Sequence, residues 1–111
     1  MSNETKVSKE IREAIKRLFP QIRFWRNQCG LAKGFRGGIV RMGEPGTPDY
    51  VGYLPDGRFF GMEIKDPAGK TDSDREKLQN DRLSDIRACG GIAIKVSSVE
   101  EAISILSKLL I

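Results

Sequence analysis

The stretch GTPDYVGYLPDGRFFGMEIK, residues 46–65, decides how the rest of the chain is read. Residues 50–54 and 58–64 are rich in aromatic and β-branched side chains, which suits two strands. Between them, Pro55 presets the first turn position and Asp56-Gly57 ends a type I turn, with Gly57 left-handed. A hairpin loop of this kind pairs Leu54 with Arg58 and Tyr53 with Phe59. Counting back along the ladder sets Asp49 opposite Glu63. Directly opposed residues on one face have Cβ atoms about 4.5–5.5 Å apart. Side chains alternate along a strand, so Glu63 and Lys65 share a face with Asp49, while Met62 and Ile64 point away. Gly61 lies beside Glu63 on that face and leaves room there.

Two facing carboxylates repel unless positive charge sits between them. Oxygen ligands of this kind suit Mg²⁺ or Mn²⁺. An adjacent lysine can position a water on such an ion or help deprotonate it. The other reading of the same residues is a solvated hairpin face on which Lys65 neutralises Glu63.

Composition narrows the chemistry. The chain has 111 residues and no histidine, which removes His-based general bases, Ser-His and Cys-His nucleophiles and the usual zinc sites. One α/β domain over residues 1–111 is expected. Cys29 and Cys89 form no CxxC pair and read as reduced and structural, with Cys89 packed at a helix end. The residue 103–111 apolar run is interrupted by Ser104, Ser107 and Lys108 and is too short for a bilayer span. The polar start does not read as a secretory signal, so a cytoplasmic protein is expected. The net charge is +4 and unevenly spread: residues 1–41 hold ten Lys and Arg against three acids, the remainder nine against twelve. A basic front half joined to an acidic cluster suits a polyanion guided towards a metal.

The other elements follow from periodicity. A first helix spans residues 8–19, capped by Ser8, with an apolar stripe of Val7, Ile11, Ala14, Ile15, Leu18 and Phe19, and Pro20 ends it. Glu10 lies on the shoulder of that stripe. It either reaches an inward site or simply favours the positive end of the helix. Residues 22–26 read as a strand with Trp25 in the core. Residues 30–48 are glycine-rich and match no nucleotide P-loop. Lys33, Arg36 and Arg41 lie within this segment; residues 39–42 suit a strand, and the rest reads either as a mobile loop whose basic residues approach a nucleic-acid backbone or as an ordinary flexible connector. Ser73 and Glu76 form a capping box that opens a second helix, with Gly90 as its stop. Gln79 falls on the buried face of that helix. It bonds either near Lys65 or to a backbone group at the sheet edge. Residues 92–96 make a buried strand, and Ser97 or Ser98 caps a last helix. Glu100 and Glu101 read as solvated surface. The helical crossover predicts parallel pairing for the last strand and a mixed sheet between helices.

Gly46-Thr47-Pro48-Asp49, Glu63-Ile64-Lys65 and Gln79 together resemble the PD-(D/E)XK nuclease superfamily. More narrowly they resemble the VRR-NUC family, many members of which are small phage proteins. Trp25-Arg26-Asn27 and Cys89-Gly90-Gly91 add to the narrower likeness. The resemblance implies a restriction-endonuclease-like αβββαβ core. It also implies a Mg²⁺-dependent endonuclease with Asp49, Glu63 and the Ile64 backbone carbonyl as ligands, Glu10 assisting, and Lys65 and Gln79 completing the catalytic set. Arg26 would face phosphate. DNA would be the substrate, four-way junctions and a homodimer becoming attractive. The rivals are a DNA-binding module that does not cut, and a subunit inactive until a helicase or repair partner docks.

Overall fold

The computed structural model describes residues 4–27, 30–33, 38–42, 44–65 and 73–110. The element order is α1 (Lys6–Leu18), β1 (Arg23–Arg26), β2 (Gly30–Lys33), β3 (Ile39–Met42), β4 (Tyr50–Tyr53), β5 (Phe59–Ile64), α2 (Ser73–Ala88), β6 (Ile92–Val96) and α3 (Val99–Leu109). The main sheet runs β1-β4-β5-β6, and β2 with β3 forms a separate two-stranded sheet.

The hairpin forms in the expected register. Tyr53 opposes Phe59 and Tyr50 opposes Met62, so one further step sets Asp49 against Glu63. The loop closes through the Leu54 amide on the Arg58 carbonyl at 3.0 Å and the Gly57 amide on the Leu54 carbonyl at 2.9 Å. Gly57 is left-handed, with φ of 88°. A side chain there would meet the following carbonyl, which is why the turn ends on glycine. β6 pairs parallel with β5, setting Glu63 beside Lys95. The helical crossover through α2 accounts for this direction.

Each strand of the sheet has one face on the core. Phe24, Tyr50, Phe60, Met62, Ile92, Ile94 and Val96 pack with Ile11 and Ile15 of α1 and with Ala102 and Leu106 of α3. α2 lies on β5 and β6 from the opposite side. Its Ile86 packs over Gly61, where an added Cβ would come within 3.1 Å. The carboxylates therefore look towards α2 and away from the main core.

Several sequence readings need correction. The N-cap of α1 is Thr5, whose Oγ1 accepts from the Ser8 amide at 3.1 Å. Ser8 sits inside the helix. Both residue types cap well, and the earlier one gains an extra turn of backbone bonds. Trp25 is 54% exposed. Phe24 takes the core position beneath α1, and alternation then turns Trp25 outward. Residues 30–33 form β2 of the ribbon. Ser98 caps α3 and accepts from the Glu101 amide at 3.1 Å, while Glu101 Oε1 accepts from the Ser97 amide at 2.9 Å. Glu101 thus works in a capping box. Cys89 stands at the end of α2 as expected, but it is exposed. Cys29 lies outside the described residues. Among the described residues no helix is long and apolar enough to cross a membrane.

Gly57→Ala should lower stability by about 1–2 kcal/mol in urea denaturation, and Gly57→Asn by less, because asparagine tolerates the left-handed region better.

Candidate metal centre

The hairpin ladder carries the site. Asp49 stands just before β4, and its Oδ2 accepts from the Ile64 amide at 3.0 Å. That bond folds the Asp49 carboxylate across the end of the ladder towards Glu63. Asp49 is itself held from behind. The Asn27 amide donates to the Asp49 carbonyl at 2.7 Å, and Asn27 Nδ2 donates to the Pro48 carbonyl at 3.2 Å. These bonds give Asn27 the task of fixing the Pro48-Asp49 backbone. Gly46 makes the approach possible. Its φ is 84°, and a Cβ there would lie 2.7 Å from Leu78 of α2.

Glu63 is 6% exposed, the one charged residue among the buried described ones. Its Oε2 is buried with no hydrogen-bond partner. Burial, and then the charge of Asp49, push the Glu63 carboxyl up to about 8, and a side-chain hydrogen bond with Asp49 adds to the rise. The two acids therefore converge. Arg75 on α2 draws the value slightly back by its charge.

Lys65 continues the same face. Its amide donates to the Val96 carbonyl at 2.8 Å, which extends the β5–β6 pairing. Its Nζ donates to Glu76 Oε1 at 2.9 Å. Lys95 Nζ reaches the same oxygen at 3.1 Å and Asn80 Oδ1 at 3.1 Å. The Lys65 and Lys95 ammonium groups together hold the Glu76 carboxyl below its usual range. Glu76 was read as half of a capping box. It turns instead towards the lysines, one helical turn from Asn80, and the residue before Ser73 lies outside the described residues.

Two expected members are placed differently. Gln79 is half-buried on α2, and no hydrogen bond joins it to Lys65, whose partner is Glu76. Residues 76, 79 and 80 share a face, and it is the charged Glu76 that pairs with the Lys65 ammonium. Glu10 is exposed. Among the described residues no three acidic, cysteine or histidine side chains gather as a metal group. The acid that α1 does bring inward is Glu4, at its N-terminal approach. It is bound by Arg12 at 2.9 Å and by the Tyr50 hydroxyl, on the core side of the sheet. Arg12 first, and Tyr50 with it, hold the Glu4 carboxyl below its ordinary value, while burial and Glu4 raise the Tyr50 hydroxyl. Arg26 is half-buried close by, its charge among those acting on Glu4. Lys33 and Arg41 lie on β2 and β3, and Arg36 falls outside the described residues.

The donor set fits a hard divalent cation. A buried and a half-buried carboxylate stand side by side, one Glu63 oxygen has no partner, and a backbone carbonyl follows at Ile64. Mg²⁺ commonly takes one or two protein carboxylates and completes its shell with water and substrate phosphates.

A search of solved structures finds a match described as a "VRR_NUC domain", with a TM-score of 0.54 and 19% sequence identity, covering 96% of this chain and 100% of that one. The chain has a VRR_NUC fold. No family model matches the sequence, and no curated protein does. In this VRR_NUC fold the mixed four-stranded sheet stands between helices as the sequence predicts; β3 falls on the expected strand at residues 39–42, and β2 with its pairing to β3 is what the motifs did not announce. Lys95 was also missed. It is the one polar residue of β6, and the parallel register to Glu63 was the available signal.

In metal-free buffer Glu63→Gln should raise the melting temperature. A carboxyl raised to about 8 on folding from an ordinary value near 4.5 binds more protons folded than unfolded between those values, so wild-type stability falls as pH rises through that window. The gap between variant and wild type should widen from pH 5 to pH 8 in thermal melts.

Proposed function

We propose that the protein is a metal-dependent DNA endonuclease that hydrolyses phosphodiester bonds. The observation that carries this reading is the buried Glu63 carboxylate, one oxygen unpartnered, converging on Asp49 beside Lys65. Burial and the charge of Asp49 make this carboxyl costly to ionise unless a cation joins it, and an isolated repelling pair has no structural use in this sheet. The "VRR_NUC domain" likeness supports the same activity.

Asp49, Glu63 and the Ile64 carbonyl would hold Mg²⁺ or Mn²⁺. When bound, such an ion polarises a phosphoryl oxygen and lowers the pKa of a coordinated water. The chain's own contribution is placement and charge. Lys65 extends its ammonium towards the scissile phosphate and stabilises the negative charge that builds there. Leaving Glu76 is inexpensive for Lys65, because Lys95 stays on the same carboxylate and keeps it neutralised. The P–O3′ bond breaks as water oxygen bonds to phosphorus, so the products carry a 5′-phosphate and a 3′-hydroxyl. Lys33 and Arg41 on the ribbon, with Arg26 and Arg36, would steer the backbone.

One site cuts one strand. Symmetric cutting of a branched duplex needs two, so a homodimer acting on four-way junctions is the form we propose for paired incision.

Supercoiled plasmid and a synthetic four-way junction, incubated with Mg²⁺, Mn²⁺ or EDTA, test this. Cutting should require the metal and fall by about 100-fold or more in Asp49→Asn and Lys65→Ala. Cutting that survives in both variants would remove these residues from the chemistry. Binding in EDTA with no cutting under any condition would identify a non-cleaving module, and activity that appears only with lysate would point to a helicase or repair partner. In a thermal shift assay Mg²⁺ or Mn²⁺ should stabilise the wild type, with little effect on Glu63→Gln.

A further inference from the structure

α2 rests on β5 and β6, and among the described residues no helix packs substantially on the β1–β4 side of the same sheet face. Three aromatic rings stand there: Trp25 is 54%, Tyr53 48% and Phe59 45% exposed. They are neighbours. Tyr53 is directly opposed to Phe59, and Trp25 meets Tyr53 edge-on with ring centroids 6.3 Å apart. Strand alternation places all three on the face of Glu63. Phe59 and Gly61 precede it at even spacing, Tyr53 opposes Phe59, and Trp25 opposes Val51, the partner of Gly61. Single exposed hydrophobic residues are ordinary, whereas a continuous patch marks a surface that binds something.

The patch runs into a groove of about 690 Å³ between the hairpin and α2, lined by Pro48, Val51, Phe59 and Ile86. Pro48, on the wall of this groove, immediately precedes Asp49 in the chain. Arg58 and Arg82 stand on its walls with Asp56 and Asp85. Arg23 is exposed on the same face, opposite Tyr53. Three arginines and two aspartates thus stand around the rings, and one of the arginines, Arg58, has its Nε held by Asp56 at 2.7 Å. From Phe59 to Glu63 the strand advances about 13 Å, the length of roughly four stacked nucleotides.

Resting on the nuclease reading above, we infer that this aromatic row is a stacking platform for unpaired bases of a DNA strand whose backbone passes the carboxylates. Aromatic rings flanked by arginine suit single strands, because every base offers a π-face and the backbone needs only positive charge. Intact duplex hides its base faces within its own stack. Among branched substrates, those with unpaired bases next to the cut are therefore favoured.

Trp25 is the sole tryptophan of the chain, so its emission reports on the platform. Wild-type protein in EDTA is titrated with a short oligothymidylate, with the same strand carrying abasic sites throughout, and with a blunt duplex of equal length. The oligothymidylate should quench Trp25, and binding should weaken by about 5- to 150-fold in Phe59→Ala, the range expected for loss of one stacked base. Phe59 is exposed, so that variant should melt close to the wild type, and the abasic arm needs no substitution. Equal quenching by the abasic strand or by the duplex overturns the inference. So does a blue shift of Trp25 that rises with protein concentration in the absence of DNA, which would give the face to a second copy. Plasmid cutting without quenching removes the platform and leaves the nuclease. Quenching without cutting under any metal condition supports the platform and removes the nuclease.

Discussion

Like charges do not gather in a dry place unaided, and the carboxylate of Glu63 is in such a place with Asp49 across from it. Holding them there costs stability, because burial and mutual repulsion both work against the ionised pair. The fold supplies the restraint through backbone bonds. The Ile64 amide grips one Asp49 oxygen, Asn27 grips the Asp49 and Pro48 carbonyls, and the β4–β5 ladder sets the spacing. A shift of one residue in that ladder would turn Glu63 into the apolar core, so the turn at Gly57 governs chemistry as well as shape.

The sheet separates its two duties by face. One side packs Phe60, Met62 and Ile94 against α1 and α3. The other gives Gly61, Glu63 and Lys95 to α2, whose polar residues Glu76 and Asn80 reach down to the lysines. α2 therefore need not be strongly apolar, and Leu83 is its one buried residue. A helix of this kind is secured partly by ions at the site it covers, which ties its position to the charge state below it.

Much of this was legible in the sequence, for a definite reason. The hairpin is local: Pro55-Asp56-Gly57 sets the turn, alternation sets the faces, and counting sets Asp49 against Glu63. The parallel direction of β6 followed from the crossover. What stayed hidden depended on choices between distant partners of similar chemistry. Glu76 and Gln79 lie three apart on α2, and only the packing angle of the helix decides which one meets Lys65. Glu10 and Glu4 compete in the same way, and the Tyr50 hydroxyl with Arg12 draws in Glu4. Trp25 looked like core because of its size, but Phe24 had prior claim by parity. The ribbon carried too much glycine for its pairing to be read.

The clamp at Asn27 has an architectural consequence. The chain departs from the main sheet at Asn27 and re-enters at Pro48, and those two points are stitched to each other. Whatever lies on that detour can be lengthened, trimmed or swapped while the blades keep their setting. The length of the excursion is thereby uncoupled from the position of Asp49, because its two ends are joined where it leaves and rejoins the sheet.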